Sequence, residues 1–233
     1  MRFGLKTWVL ILMFAALSFD AAAQRRVSSV IDPRSIEVKL NFYEPPSLPV
    51  GGGIQITSPI SRKWLTVMIS YSTGLSEEEG KAGKKKYRWL EDLNIDIWMI
   101  IPGAEGYGRS VLLGGKQILW SVPCDGKRHR ALFVVPPLVL ERYGNLPKFN
   151  RGTAEQIPVY IEFKSKNQEV LSRFLYVPKN MSLDRARRAF QSMIQANVGV
   201  FKLPTAILPK DRSPWNLVEV DSFDLPKSMV EGK

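Results

Sequence analysis

One cysteine, Cys124, and one histidine, His129, bound the chemistry open to this chain. A lone cysteine forms no intramolecular disulfide, and structural zinc sites draw on several thiolate or imidazole ligands, so no metal centre and no cofactor is expected. Serine hydrolysis needs a hydroxyl activated by a histidine that a carboxylate holds in place. His129 sits between Arg128 and Arg130 in the first turn of an expected hairpin, and no Gly-x-Ser-x-Gly elbow is present, so a structural histidine is expected. Glycoside hydrolysis asks only for two carboxylates across a cleft, for which Glu91, Asp92, Asp96 and Glu162 are the candidates. In so basic a chain such groups are expected to neutralise their neighbours. Gly103 to Gly108 has the spacing of a phosphate-binding loop, but Arg109 to Leu113 reads as a strand rather than the helix such a loop needs, which makes it a hairpin connection. A non-enzyme is the expectation.

Two basic clusters are the stronger binding candidates. Lys84, Lys85, Lys86, Tyr87, Arg88 and Trp89 interleave cations with aromatic rings, a mixture that holds anionic glycans by charge and stacking. Lys127, Arg128 and Arg130 form the second cluster, at the tip of the expected hairpin. The alternative is a solvated lysine loop with Trp89 capping the core. A third basic surface, Arg185, Arg187 and Arg188, offers peripheral contact with an anionic membrane.

The elements that must position these residues are mostly strands. Ile36, Val38, Leu40 and Phe42 alternate with polar residues, the two-residue period of a half-buried strand. Trp64 to Ser72 and Leu93 to Ile101 read as further strands, Val111 to Leu113 as a short one, and the charged stretch Gly74 to Lys86 as a mobile loop. Asp125-Gly126 suits a two-residue type I′ turn, and pairing outward from it sets Val122 opposite His129, Trp120 opposite Ala131 and Ile118 opposite Phe133. A second hairpin turning at Lys166-Asn167 sets Phe163 opposite Val170, Val159 opposite Phe174 and Lys164 opposite Glu169. Leu183, Ala186, Ala189, Phe190, Met193, Ile194 and Asn197 then fall at helical spacing, with Ser182 as N-cap. Pro204, Pro209, Pro214 and Pro226 break the remainder into extended pieces, with an edge strand at Leu217 to Val220. The predicted fold is mainly β: an immunoglobulin-like antiparallel β-sandwich with one C-terminal amphipathic helix.

The N-terminus has the parts of a cleavable export signal: Arg2 and Lys6, an apolar run from Trp8 to Leu17, and small residues at Ala21 to Ala23. The run is shorter than the roughly 20 apolar residues a spanning helix needs. The expected organisation is a signal peptide over 1–23, a flexible arm over 24–34, the sandwich over 35–180, and the helix with its proline-containing tail over 181–233. The formal net charge of the whole chain is +11, and the mature chain stays strongly basic after losing Arg2, Lys6 and Asp20. Such a field attracts anionic glycans and lipid phosphates; outside the cytoplasm, nucleic acid is not an expected partner.

The alanine junction at Ala21 to Ala23, the strand series from Ser35 to Val177 and the trailing helix after Ser182 resemble a group of exported immunoglobulin-like proteins encoded with type IV pilus components in mucus-colonising gut bacteria. The resemblance implies a periplasmic, outer-membrane-associated or surface protein with a structural, assembly or adhesion role. Its implied partners are envelope or pilus proteins, with self-association left open. The alternative function is an anionic-glycan-binding module using the basic–aromatic residues.

Overall fold

The computed structural model describes residues 30–46, 62–74, 77–79, 85–146, 148–196, 200–216 and 223–224. The expected signal peptide and Leu217 to Val220 therefore lie outside the described residues. The alternation after Ser35 is realised in β1 (Glu37–Tyr43), where Val38, Leu40 and Phe42 are buried, and it pairs in unbroken antiparallel register with β2 (Trp64–Ser72). Glu77–Glu79 (β3) and Lys85–Tyr87 (β4) form a small ribbon of their own. Part of the expected mobile loop is thus ordered: Glu78 stands opposite Lys86 and Glu79 opposite Lys85, the opposite-charge register that stabilises a strand pair.

β5 (Trp89–Pro102) and β6 (Ser110–Pro123) make the longest hairpin. Its connection is the glycine-rich stretch, which turns on Gly106 and Gly108 at φ 87° and 83°. β7 (Arg128–Val135) is followed by the short helices α1 (Pro137–Tyr143) and α2 (Arg151–Ala154), then β8 (Val159–Lys164), β9 (Val170–Tyr176), α3 (Leu183–Gln195) and β10 (Phe201–Pro209). Eight strands join in one sheet, in the order β1-β2-β7-β10-β6-β5-β8-β9. The sheet curls so that its halves face one another: Tyr71 of β2 and Phe163 of β8, far apart in strand order, bring their rings to 5.0 Å, and both are fully buried. One continuous apolar core fills the space between the halves. The architecture is mainly β and sandwich-like, with the expected amphipathic helix near the C-terminus.

Four expectations are corrected. The Asp125-Gly126 turn does not close a hairpin; Val122 pairs with Leu90 and His129 with Tyr71, so the turn carries the chain from one half of the curled sheet to the other. Gly126 still takes a positive φ of 71°, as the turn chemistry requires. The tail after the helix is not a set of peripheral pieces. β10 lies in the middle of the sheet, parallel to β6 and antiparallel to β7, which makes the sheet mixed rather than purely antiparallel. Gly115 allows this, because a Cβ there would stand 2.4 Å from the Ile207 carbonyl oxygen. The register break between Leu203 and Ile207 accommodates Pro204, which has no N–H to donate.

The β8–β9 hairpin forms, but Phe163 faces Ser172 and Ile161 faces Phe174. Its loop is one residue longer than expected: Gln168 donates to the Ser165 carbonyl and adopts a φ of 63°, the left-handed step that closes a three-residue connection. Finally, the described end of the expected arm is docked. Ile31 is fully buried and bridges to Thr73, and Asp32 caps the single 3-10 turn Pro33–Ser35.

α3 packs across the outer face of the β6-β5-β8-β9 half. Ser182 caps it by accepting from the Arg185 N–H, and Phe190 and Met193 cover Trp98, Ile100, Leu112 and Tyr160. One end of the sandwich is closed by Tyr107, Tyr143 and Phe201, whose ring centroids lie 4.7–5.4 Å apart. Among the described residues no helix is long and apolar enough to cross a membrane.

Candidate functional site

The predicted basic–aromatic residues divide between two faces. Arg88 and Trp89 are exposed at the start of β5, and the Cys124 N–H donates to the Arg88 carbonyl at 2.7 Å, so this corner abuts the turn that bears Lys127. Lys84 and the side chains of Lys85, Lys86 and Tyr87 lie outside the described residues. Along β7, His129, Ala131 and Phe133 face the core, which turns Arg128 and Arg130 to the outside of the other half-sheet. There Arg128 is engaged by Glu37. Sequence reasoning also missed Trp120. The Asp125-Gly126 pairing sets it on one face with Val122 and Ile118, yet it is 44% exposed on β6 while Val122 is buried, and Trp89 on the paired strand is 51% exposed. The signal for it was hidden by the Asp125-Gly126 hairpin register, which faced Trp120 toward Ala131.

Two of the four candidate carboxylates do meet. Asp96 and Glu162 are cross-strand neighbours on β5 and β8, at the floor of a groove of about 730 Å³ walled by α3, with Trp98 and Tyr160 beside them. The Lys164 ammonium lies between the two, 2.7 Å from Asp96 and 3.0 Å from Glu162. Arg173 and the Tyr160 hydroxyl also donate to Glu162, at 3.1 and 2.6 Å. Burial pushes the Glu162 carboxyl up, but the bonds from Tyr160, Lys164 and Arg173 outweigh it and hold the group below its ordinary value. A glycosidase acid must instead hold its proton near neutral pH. Glu91 is exposed, and Asp92 lies 3.6 Å from Lys166.

The two edges of the sheet differ. β9 carries a register shift and is approached by the Pro33–Ser35 turn, while the Tyr176 hydroxyl is tied to the Glu155 carbonyl. Among the described residues β1 pairs with β2 along one side only, over seven residues with no proline and no bulge, and α2 packs against it. A groove of about 700 Å³ runs beside it, lined in part by Tyr43, Arg151, Glu155 and Tyr176.

The fold is shared with a solved protein from Akkermansia muciniphila. The two superpose with a TM-score of 0.56 over 84% of this chain and 96% of the other, at 12% sequence identity. That likeness establishes common architecture. No family model and no curated protein matches the chain.

His129, the one histidine, lies in a buried polar network at the end of the sandwich opposite the aromatic trio. Its Nδ1 is 2.9 Å from Asp224 Oδ1 and its Nε2 is 3.3 Å from Asp125 Oδ1, while the Tyr71 hydroxyl donates to Asp224 Oδ2 at 2.7 Å. Thr73 Oγ1 completes the ring of contacts, 3.4 Å from Nε2. Burial alone would lower the imidazole pKa; the bond and charge of Asp224, aided by Asp125, more than offset it and raise the pKa above the ordinary value. The Asp224 N–H also donates to the Arg130 carbonyl, which pins this part of the tail along β7. Tyr71 is wholly buried with its phenol pushed well up, first by that burial and then by Asp224, burial likewise raises the adjacent Cys124 thiol, and the Thr73 hydroxyl donates to the Pro123 carbonyl at 2.8 Å. The network was not legible in the sequence because Asp224 is remote from both residues it joins.

Proposed function

We propose that this chain is a non-enzymatic cell-envelope or surface protein with a structural, assembly or adhesion role linked to type IV pili. The observation that carries the reading is the β1 edge, which among the described residues pairs with β2 alone, with α2 packed against the strand. Natural sheets blunt their edges with proline, bulges or a covering element, because a bare row of backbone donors and acceptors recruits a further strand. β9 has a register shift, whereas β1 has neither proline nor bulge over its described length, and only the short α2 approaches it. Addition of an extended segment from an envelope or pilus protein along β1 is a recognised docking mode, with backbone hydrogen bonds giving affinity and alternate side chains giving selection. The ion-paired state of Asp96 and Glu162 and the structural setting of His129 support the non-enzymatic part. The apolar leader with its alanine junction supports export to the periplasm, outer membrane or surface. The resemblance noted from the leader, strand series and helix supports the pilus link.

The test is site-specific photo-crosslinking in cells. A benzoylphenylalanine at Tyr43, which is 53% exposed at the end of β1, is compared with one at Leu138, which is 65% exposed on α1. Crosslinks to pilus or envelope proteins from Tyr43 and not from Leu138 are expected. The same products from both positions, or none from Tyr43, would overturn the reading.

A further inference from the structure

We infer that the exposed face carrying Trp89 and Trp120 binds an acidic oligosaccharide by stacking sugar rings on the two indoles. This goes beyond strand docking at β1 and uses a different surface. The two tryptophans belong to paired strands: Trp89 stands opposite Pro123, three residues along β6 from Trp120. Three steps of about 3.4 Å along the strand and one inter-strand spacing of about 4.8 Å set their Cα atoms about 11 Å apart. An oligosaccharide bridges that span; a single sugar ring does not.

Both indoles reach the outside for a local reason. Leu90 and Val122 face the core as a pair, and so do Leu93 and Leu119, leaving two consecutive positions on each strand between them. Asp92, opposite Trp120, takes a φ of 49°, the left-handed step that lets the strand twist through this interval. The result turns Glu91 and Trp120 outward on the side where Trp89 already lies. Beyond this point α3 covers the outer face at Trp98, Ile100 and Leu112, but Trp89 and Trp120 keep about half of their surfaces open. Two half-open indoles on paired strands offer apolar rings with a polar N–H at the edge, the combination that suits amphipathic ligands.

Charge selects the class of sugar. Arg88 is exposed beside Trp89, Lys127 is exposed on the adjoining turn with Asp125 3.9 Å away, and Lys116 is exposed four residues before Trp120, against the exposed carboxylate of Glu91. The surplus of cations at the patch, within a chain of net charge +11, favours a glycan bearing carboxylate or sulfate groups.

The experiment is calorimetric titration of the mature protein with a sulfated, heparin-derived hexasaccharide, with neutral chitohexaose, and with phosphatidylglycerol vesicles. The sulfated hexasaccharide is expected to bind, and Trp89→Ala and Trp120→Ala each to weaken it about tenfold, with Trp89→Phe retaining most of the affinity. Because both rings are half exposed, the thermal midpoint of each variant should stay close to that of the unaltered protein. Equal binding of the neutral sugar would overturn the acidic class. Unchanged affinity in both alanine variants would overturn stacking and leave only diffuse electrostatic attraction. Tighter binding to the vesicles, weakened by the same substitutions, would reassign the face to a membrane. A failure here leaves the Tyr43 crosslinking result standing, since the two surfaces lie on different strands.

Discussion

Replacing Asp224 tests whether the tail is held by the buried network or merely rests on the sheet. In Asp224→Ala the wholly buried Tyr71 hydroxyl loses the acceptor at 2.7 Å and His129 loses its nearer carboxylate at 2.9 Å. An orphaned buried hydroxyl costs about 1–3 kcal/mol, and loss of a charged partner adds to it, giving about 3 kcal/mol in all. For a chain of this length each kcal/mol moves the melting midpoint by about 2–4 °C, so a drop of about 6–12 °C is expected by calorimetry. Asp224→Asn separates the charge from the hydrogen bond, since an amide oxygen still accepts from Tyr71.

The sign of the pH effect follows from the raised imidazole pKa of His129. Its contribution to stability is present in full below the unfolded value of about 6.5 and is lost as pH rises through the higher folded value. The gap between the unaltered protein and Asp224→Asn should therefore be widest near pH 6 and narrow toward about pH 9. A midpoint for Asp224→Ala within about 2 °C of the parent, on the same per-kcal scale, or a gap that widens as pH rises, would refute the reasoning.

Two further outcomes are expected. Lys164→Ala leaves Asp96 and Glu162 facing each other across neighbouring strands, and should destabilise the protein by about 1–3 kcal/mol in urea unfolding. Glu162, whose depressed pKa stabilises the fold above the unfolded carboxyl value and ceases to as pH falls through the folded one, should then titrate higher, moving the acid limb of stability upward. Gly115→Ala drives a methyl into the Ile207 backbone and should cost about 3 kcal/mol or more in the same assay, by prising β10 from β6. A neutral result at Gly115 would mean that the central position of β10 is wrong.

What could be read from the sequence was whatever rests on local periodicity. The alternation from Ile36 to Phe42, the full extent of Trp64 to Ser72 and the helix capped by Ser182 each depend on neighbours a few residues away, and each stands as expected. Asp125-Gly126 misled because its turn chemistry is local while its role is not. The same positive φ serves a hairpin or a passage between half-sheets, and the choice is made by β10, which separates β6 from β7. The prolines of β10 read as breakers, although one falls at a register break and another at the strand's end. Of the two tryptophans proposed to stack sugar rings, Trp89 stands out in the sequence through its basic neighbours and Trp120 does not, because its facing depended on the misassigned register. His129 is expected to be structural, but its partners were not legible, since Tyr71 and Asp224 reach it only through the fold.

The central place of β10 also sets an order on how the molecule can come into being. The sheet has a gap between β7 and β6 until residues 201–209 fill it, and these are made after every other strand of the sheet. The strands made earlier can collapse in pairs, yet the two halves are joined edge to edge only through this late arrival. A chain still being synthesised thus has no complete sheet to close. Cooperative folding waits for β10, and a truncation before Phe201 removes the joint between the two halves of the sheet.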